Sequence, residues 1–142
     1  MKIELREIHK YYGPIKANCG INLTIEPGVI HGILGENGAG KTTLMKILAG
    51  YSQKTTGTIL VDRSPSNYKT PAQASELGIG MLYQDPLDFP LLSVLDNFML
   101  GQTTGIVNKK KIFSKIFEKT ANSLNFSIQP DTFLNRLTIG ER

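Results

Sequence analysis

Gly35-Glu36-Asn37-Gly38-Ala39-Gly40-Lys41-Thr42 brings three glycines, an ammonium and a hydroxyl together within eight positions. Glycines at this spacing let the backbone turn tightly and approach an anion without interference from Cβ atoms. Successive N–H groups then point inward as a nest, and a helix beginning near Lys41 adds unpaired N–H groups and its positive dipole end. Lys41 brings a full positive charge to the β- and γ-phosphates of a nucleotide, and the Thr42 hydroxyl is suited to ligate Mg²⁺. The bare spacing arises by accident in about one chain of this composition in a hundred, so its context matters more than the pattern.

The context agrees. Val29 to Leu34 is nearly continuous apolar sequence and reads as a central strand covered on both faces, with His31 packed inside it. Lys41 to Ala49 carries Leu44, Met45, Ile47 and Leu48 at helical spacing, with Gly50 as a C-cap. Ahead of them, Lys2 to Ile8 and Ile21 to Ile25 alternate apolar and polar residues. With the turn residues Tyr12-Gly13-Pro14 between them and Pro27-Gly28 after them, they predict an antiparallel edge sheet. His9 lies beside the turn and is expected to be solvated. Thr58 to Val61 reads as a strand, Pro71 to Leu77 as a short helix stopped by Gly78, and Ile79 to Tyr83 as a further strand. The order strand, helix, strand, helix, strand from Val29 predicts a parallel or mixed α/β layer.

The character changes after Tyr83. Residues 84–90 form a loop with two prolines. Ser93 is placed to cap a helix beginning near Val94, and Asn108 a second one with Ile112, Phe113, Ile116, Phe117, Ala121 and Leu124 on one face. This part reads as a helical subdomain. The expected division is 1–28 antiparallel β region, 29–84 phosphate-loop α/β core, and 85–142 loop, helical subdomain and terminal motif.

With these elements in place, the stretch from Gly35 to Leu44 resembles the Walker A segment of ATP-binding cassette (ABC) transporter ATPases. Tyr12, just before Gly13, is similar to the aromatic residue that stacks on adenine in that family, and Gln84 stands where the family has its Q-loop glutamine. Leu137-Thr138-Ile139-Gly140-Glu141-Arg142 resembles the Leu-Ser-Gly-Gly-Gln signature segment, departing from it at Thr138, which keeps the hydroxyl, and at Ile139, where a glycine's freedom is lost. The resemblance implies an α/β P-loop NTPase fold with an N-terminal antiparallel β subdomain and a helical subdomain. It implies ATP and Mg²⁺ as ligands, with Tyr12, Gly35, Glu36, Asn37, Gly38, Ala39, Gly40, Lys41, Thr42 and Thr43 on the nucleotide and Thr42 and Gln84 on the metal. Lys41 and Gln84 would be the catalytic groups. Thr138 and Gly140 would reach the nucleotide of a second cassette paired head to tail.

Ile30-His31-Gly32-Ile33-Leu34, Ser64-Pro65, the run from Gly78 to Gln84, and Ser93-Val94-Leu95-Asp96-Asn97 through Leu100-Gly101 look like importer ATPases for sugars and nucleosides. Membrane permease subunits are then expected as direct partners and a solute-binding protein as an indirect one, with the cassette cytoplasmic and peripheral on the inner face of the membrane. Two other readings stand beside this one: a nucleotide-binding fragment without turnover, and a soluble ABC-type ATPase acting on ribosomes or nucleic acid. Against the last, sixteen Lys and Arg face twelve Asp and Glu, a net charge of +4. Much of the surplus lies in Lys109-Lys110-Lys111, Lys115 and Lys119 and reads as a solvated helix face, so no nucleic-acid partner is expected. The single cysteine, Cys19, suits a reducing compartment, and no apolar run approaches the roughly 20 residues needed to span a bilayer. After Thr138 there is no apolar strand ending in Asp, no following glutamate and no switch histidine, so the 142 residues are expected to be the N-terminal portion of such an ATPase, without the C-terminal part of its fold. Phosphoryl transfer to water needs a positioned nucleophile, so this chain alone is not expected to hydrolyse ATP.

Overall fold

The structure is a computed structural model, and it describes residues 1–83, 88–138 except 101–108, and 140. Contacts group the chain into two units, Met1–Leu82 and Tyr83–Arg142.

The first unit is built on a hairpin. β1 (Ile3–Tyr12) and β2 (Ile15–Ile25) pair antiparallel across the turn at Gly13 and Pro14, and both run longer than the alternation alone predicts. The reason lies at Glu7, which takes a positive φ of 49° within an irregularity between Leu5 and Ile8. A bulge of this kind shifts the inward-facing set by one residue, so strict alternation stops although the strand continues. The sheet order is β2-β1-β3-β4, with β3 (Thr56–Val61) antiparallel to β1 and β4 (Ser64–Ser66) antiparallel to β3. The expected strand at Thr58–Val61 therefore forms, but it belongs to the antiparallel sheet rather than to a parallel layer. Asp62 and Arg63, at φ 48° and 69°, make the two-residue β3–β4 turn without the glycine or asparagine that would have announced it.

α1 (Lys41–Leu48) packs against this sheet. Leu44, Ile47 and Leu48 join Ile3, Leu5, Ile8 and Ile59 in one core, which Ala74 of α2 (Pro71–Glu76) and Ile79 complete. Gly50 ends α1 at φ 76°, with Gly50 N–H on the Ile47 carbonyl and Tyr51 N–H on the Lys46 carbonyl, the paired closure that favours glycine at this position. Tyr68 clamps the same end by donating its hydroxyl to the Leu48 carbonyl at 2.6 Å.

Four expectations are corrected. Val29 to Leu34 and Ile79 to Tyr83 are not strands. Ile30, Leu34 and Leu82 are 98%, 96% and 97% exposed, and His31, far from being a packed core residue, is exposed and accepts from the Glu26 N–H at 3.2 Å. An apolar run reports a tendency to be buried, whereas a strand also needs a neighbour for its N–H and C=O groups. For Val29 to Leu34 the described sheet supplies none. His9, expected to be solvated, is half-buried in β1 and takes the Tyr11 hydroxyl on Nδ1 at 2.8 Å.

In the second unit, α3 (Val94–Met99) is capped by Ser93, whose Oγ accepts from Asp96 N–H at 3.0 Å, as its sequence predicts. α4 (Lys109–Ser123) faces α3 through Phe113 and Phe117, set edge-on to Phe98 at 6.5 and 5.5 Å. The apolar face is narrower than expected. Ala121 is buried, but Ile112, Ile116 and Leu124 are exposed. Asn108, the expected cap of α4, lies outside the described residues. The segment before α3 pairs with the segment after α4: Val94 and Leu134 N–H groups bond to the Thr132 and Leu92 carbonyls, and Ser93 bridges Phe133. A single 3-10 turn, Leu134–Arg136, then leads to Thr138.

Candidate nucleotide-binding site

The loop from Gly35 to Gly40 leads directly into α1, and its residues are exposed apart from the half-buried Gly40. Ala39 N–H closes a turn on the Glu36 carbonyl at 3.2 Å. Gly38 and Gly40 stand at φ 87° and 85°. At Gly40 glycine is required twice over. The left-handed φ disfavours any side chain, and a Cβ would collide with the Ala17 carbonyl oxygen and stand 2.7 Å from Asn18 Nδ2. β2 therefore sets the shape of the loop from below, a contact that the spacing of glycines does not reveal.

Lys41 Nζ lies across the loop and donates to the Gly35 carbonyl at 2.6 Å and the Glu36 carbonyl at 2.8 Å. No side chain caps α1, so the N–H groups of its first turn are left facing the loop without a protein-supplied acceptor oxygen from an N-cap. Thr42 is exposed and Thr43 half-buried. Ala39, Gly40 and Lys41 form one wall of a cavity of about 400 Å³ whose other walls include Ile21, Leu23 and Leu44. A cationic head over a glycine loop at an uncapped helix start fits an oligophosphate. For a metal, the described residues offer the Thr42 hydroxyl and no cluster of three or more His, Cys, Asp or Glu. A divalent ion held through one hydroxyl and phosphate oxygens matches the way Mg²⁺ is bound with nucleotides.

Tyr12 ends β1 half-exposed. Lys10 Nζ lies 4.7 Å over its ring, and its hydroxyl reaches Ser52 Oγ at 3.4 Å, just beyond α1. Tyr12 and residues 35–43 thus share the first unit, while Thr138 and Gly140, both exposed, belong to the second. Gln84, Ile139, Glu141 and Arg142 lie outside the described residues. Asn18 was missed by sequence reasoning. Its signal, a polar residue at an inward position of a strand, is visible only once the register is known.

The sequence model of the ABC transporter family matches residues 19–142. Among curated proteins, the ribose import ATP-binding protein RbsA of Streptococcus agalactiae serotype V is 38% identical over 146 aligned positions, covering 100% of this chain and 30% of that protein. Ribose import ATP-binding protein RbsA 2 of Escherichia coli O157:H7 is 39% identical, covering 99% of this chain and 28% of that protein. Among solved structures, a nucleotide-free ATP-binding cassette from an ABC transporter superposes with a TM-score of 0.82 at 25% identity, covering 97% of this chain and 60% of that one. The ADP conformation of an ATP-binding cassette of an ABC transporter superposes at 0.84, also at 25% identity, covering 99% and 61%. This chain belongs to the ABC transporter ATP-binding family, and its fold is that of the ABC ATPase cassette. It spans about 30% of the length of the curated relatives it matches. No helix among the described residues is long and apolar enough to cross a membrane.

Proposed function

We propose that this chain is part of the ATP-binding subunit of an importer, which couples ATP binding and hydrolysis to the uptake of a small solute. The observation that carries this reading is the Lys41 ammonium held over the Gly35–Gly40 loop at the uncapped start of α1. The family match supports transport, and the names of the ribose import relatives favour a sugar over a nucleoside.

In this reading, the loop N–H groups and Lys41 bind and orient the β- and γ-phosphates, and Thr42 holds Mg²⁺ together with Gln84. Glu36, Asn37, Ala39 and Thr43 line the nucleotide, and the exposed ring of Tyr12 stacks on the base. Mg²⁺ held by Thr42 and Gln84 would supply positive charge to offset that of the phosphates. Lys41 would exchange the Gly35 and Glu36 carbonyls for phosphate oxygens, a stronger ion pair in place of two neutral acceptors. Residues 1–28 and 29–84 would form the nucleotide-holding part, and 85–142 the helical part that contacts permease subunits and, through Thr138 and Gly140, a second cassette at the membrane's inner face.

The test is uptake of labelled ribose by a bacterial host lacking its own ribose import ATP-binding protein. The full-length protein carrying this segment, expressed with its permease, should restore uptake, and Lys41→Ala should abolish it while the protein still accumulates. Restored ATPase activity without uptake of any sugar would defeat the importer reading. Copurification with RNA instead of a membrane protein would favour action on nucleic acid.

A further inference from the structure

β2 carries an asparagine where the surrounding packing calls for a hydrocarbon. Asn18 is 5% exposed, and with Ile21, Leu23 and Leu44 it lines the same cavity beside the loop. Its Nδ2 donates to the Gly40 carbonyl at 3.2 Å, whereas its Oδ1 is buried without a hydrogen-bond partner. Reversing the amide would set oxygen against oxygen, so the observed orientation is the one the contact requires. A buried, unpartnered acceptor carries a free-energy penalty that a leucine of similar size would avoid. The residue therefore keeps an unfavourable half for the sake of its other half, the donor to Gly40.

That donor acts on the part of the loop where direction matters. The Gly40 carbonyl and the Lys41 N–H belong to one planar trans peptide, so they point in opposite directions. Holding the carbonyl toward β2 turns the Lys41 N–H away from it. The Gly40 carbonyl also accepts from Leu44 N–H at 2.9 Å, which ties the same peptide into the first turn of α1. A Cβ added at Gly40 would collide with the Ala17 carbonyl, so the loop passes close against β2 at this peptide.

We propose that Asn18 is a positioning residue for the phosphate loop: its side-chain amide pins the Gly40–Lys41 peptide so that the Lys41 N–H faces a bound phosphate. The inference rests on the loop being the nucleotide site. Asn18 itself touches no phosphate and acts only through Gly40.

The test uses the full chain, with sodium tripolyphosphate, which has no base or sugar, and Mg·ATP as probes in titration calorimetry. Asn18→Leu should weaken both by the same factor, about five- to tenfold, the loss of roughly one hydrogen bond. The thermal midpoint without ligand should stay level or rise, because the buried orphan oxygen is gone, and the Lys41 amide proton should shift in a ¹⁵N–¹H spectrum. Asn18→Asp supplies a pH profile that a purely structural role would not give. At pH 8 its carboxylate faces the Gly40 carbonyl, and binding should fall further than in Asn18→Leu. As pH drops through the carboxyl range the protonated group can donate again, and affinity relative to wild type should recover. If Asn18→Leu fails to fold, this recovery alone decides. Binding within twofold of wild type for both variants at pH 8, with the Lys41 amide unmoved, would overturn the proposal. Wild-type chain that binds neither probe would instead overturn the nucleotide-site reading, and the role of Asn18 with it.

Discussion

Gly40 and Lys41 divide the work of the loop, and their substitutions should fail in different ways. Gly40→Ala adds a Cβ in a left-handed conformation against the Ala17 carbonyl. It should cost at least about 2 kcal/mol of stability in urea denaturation and weaken Mg·ATP at least tenfold. Lys41→Ala removes two hydrogen bonds to exposed loop carbonyls that water can replace. It should leave the urea midpoint nearly unchanged while abolishing measurable Mg·ATP binding, because the positive charge is lost where the phosphates would sit. A loss of stability in Lys41→Ala as large as that in Gly40→Ala would show that the ammonium serves the apo loop rather than the ligand.

The elements are held by their ends. In α3, Ser93 Oγ accepts from Asp96 N–H and donates to Asp96 Oδ2 at 2.6 Å, which with Lys110 holds the Asp96 carboxyl below its usual pKa. Ser93→Ala should therefore cost about 1 kcal/mol, read by chemical denaturation followed through a probe in the second unit. Against the C-terminal end of α1, burial pushes the Tyr68 phenol up to about 12 from an ordinary value of 10.0. The folded state favours the neutral phenol, so the unfolded chain releases this proton first as pH rises. The contribution is complete below about pH 10 and should disappear progressively between pH 10 and 12. Tyr68→Phe, which also loses the bond to the Leu48 carbonyl, should flatten that alkaline fall in the thermal midpoint, and an unchanged pH profile would assign the fall to another group.

At the scale of the whole molecule, the first unit presents Ile30, Leu34 and Leu82 almost fully to solvent on segments outside the described sheet. Exposed apolar residues invite association with another chain. Sedimentation velocity of the 142-residue chain should show association that grows with concentration, and Ile30→Lys with Leu82→Lys should reduce it without lowering the affinity for tripolyphosphate. A monomeric, cooperatively unfolding species across the concentration range would contradict this.

Local chemistry made much of this protein legible from its residues. The glycine spacing, Lys41 and Thr42 announced the loop. The Leu44–Leu48 periodicity with Gly50 announced α1, Ser93 announced the cap of α3, and the Leu137–Gly140 segment with the loop announced the family. Each of these depends on groups within a few residues of one another, which is the range that sequence spacing encodes. Register and partnership were not legible, because they depend on residues far apart in the chain. β3 joined β1 rather than a parallel layer, and Val29 to Leu34 formed no strand with the described residues, since hydrophobicity does not specify which strand supplies the hydrogen bonds. The bulge at Glu7 hid the continuation of β1, and two non-glycine residues made the β3–β4 turn. Composition and spacing determined that a glycine loop enters α1 with Lys41 over it. Only the tertiary structure decided what holds it in shape, the Ala17 carbonyl and the Asn18 amide, because both reach Gly40 across more than twenty residues of intervening chain.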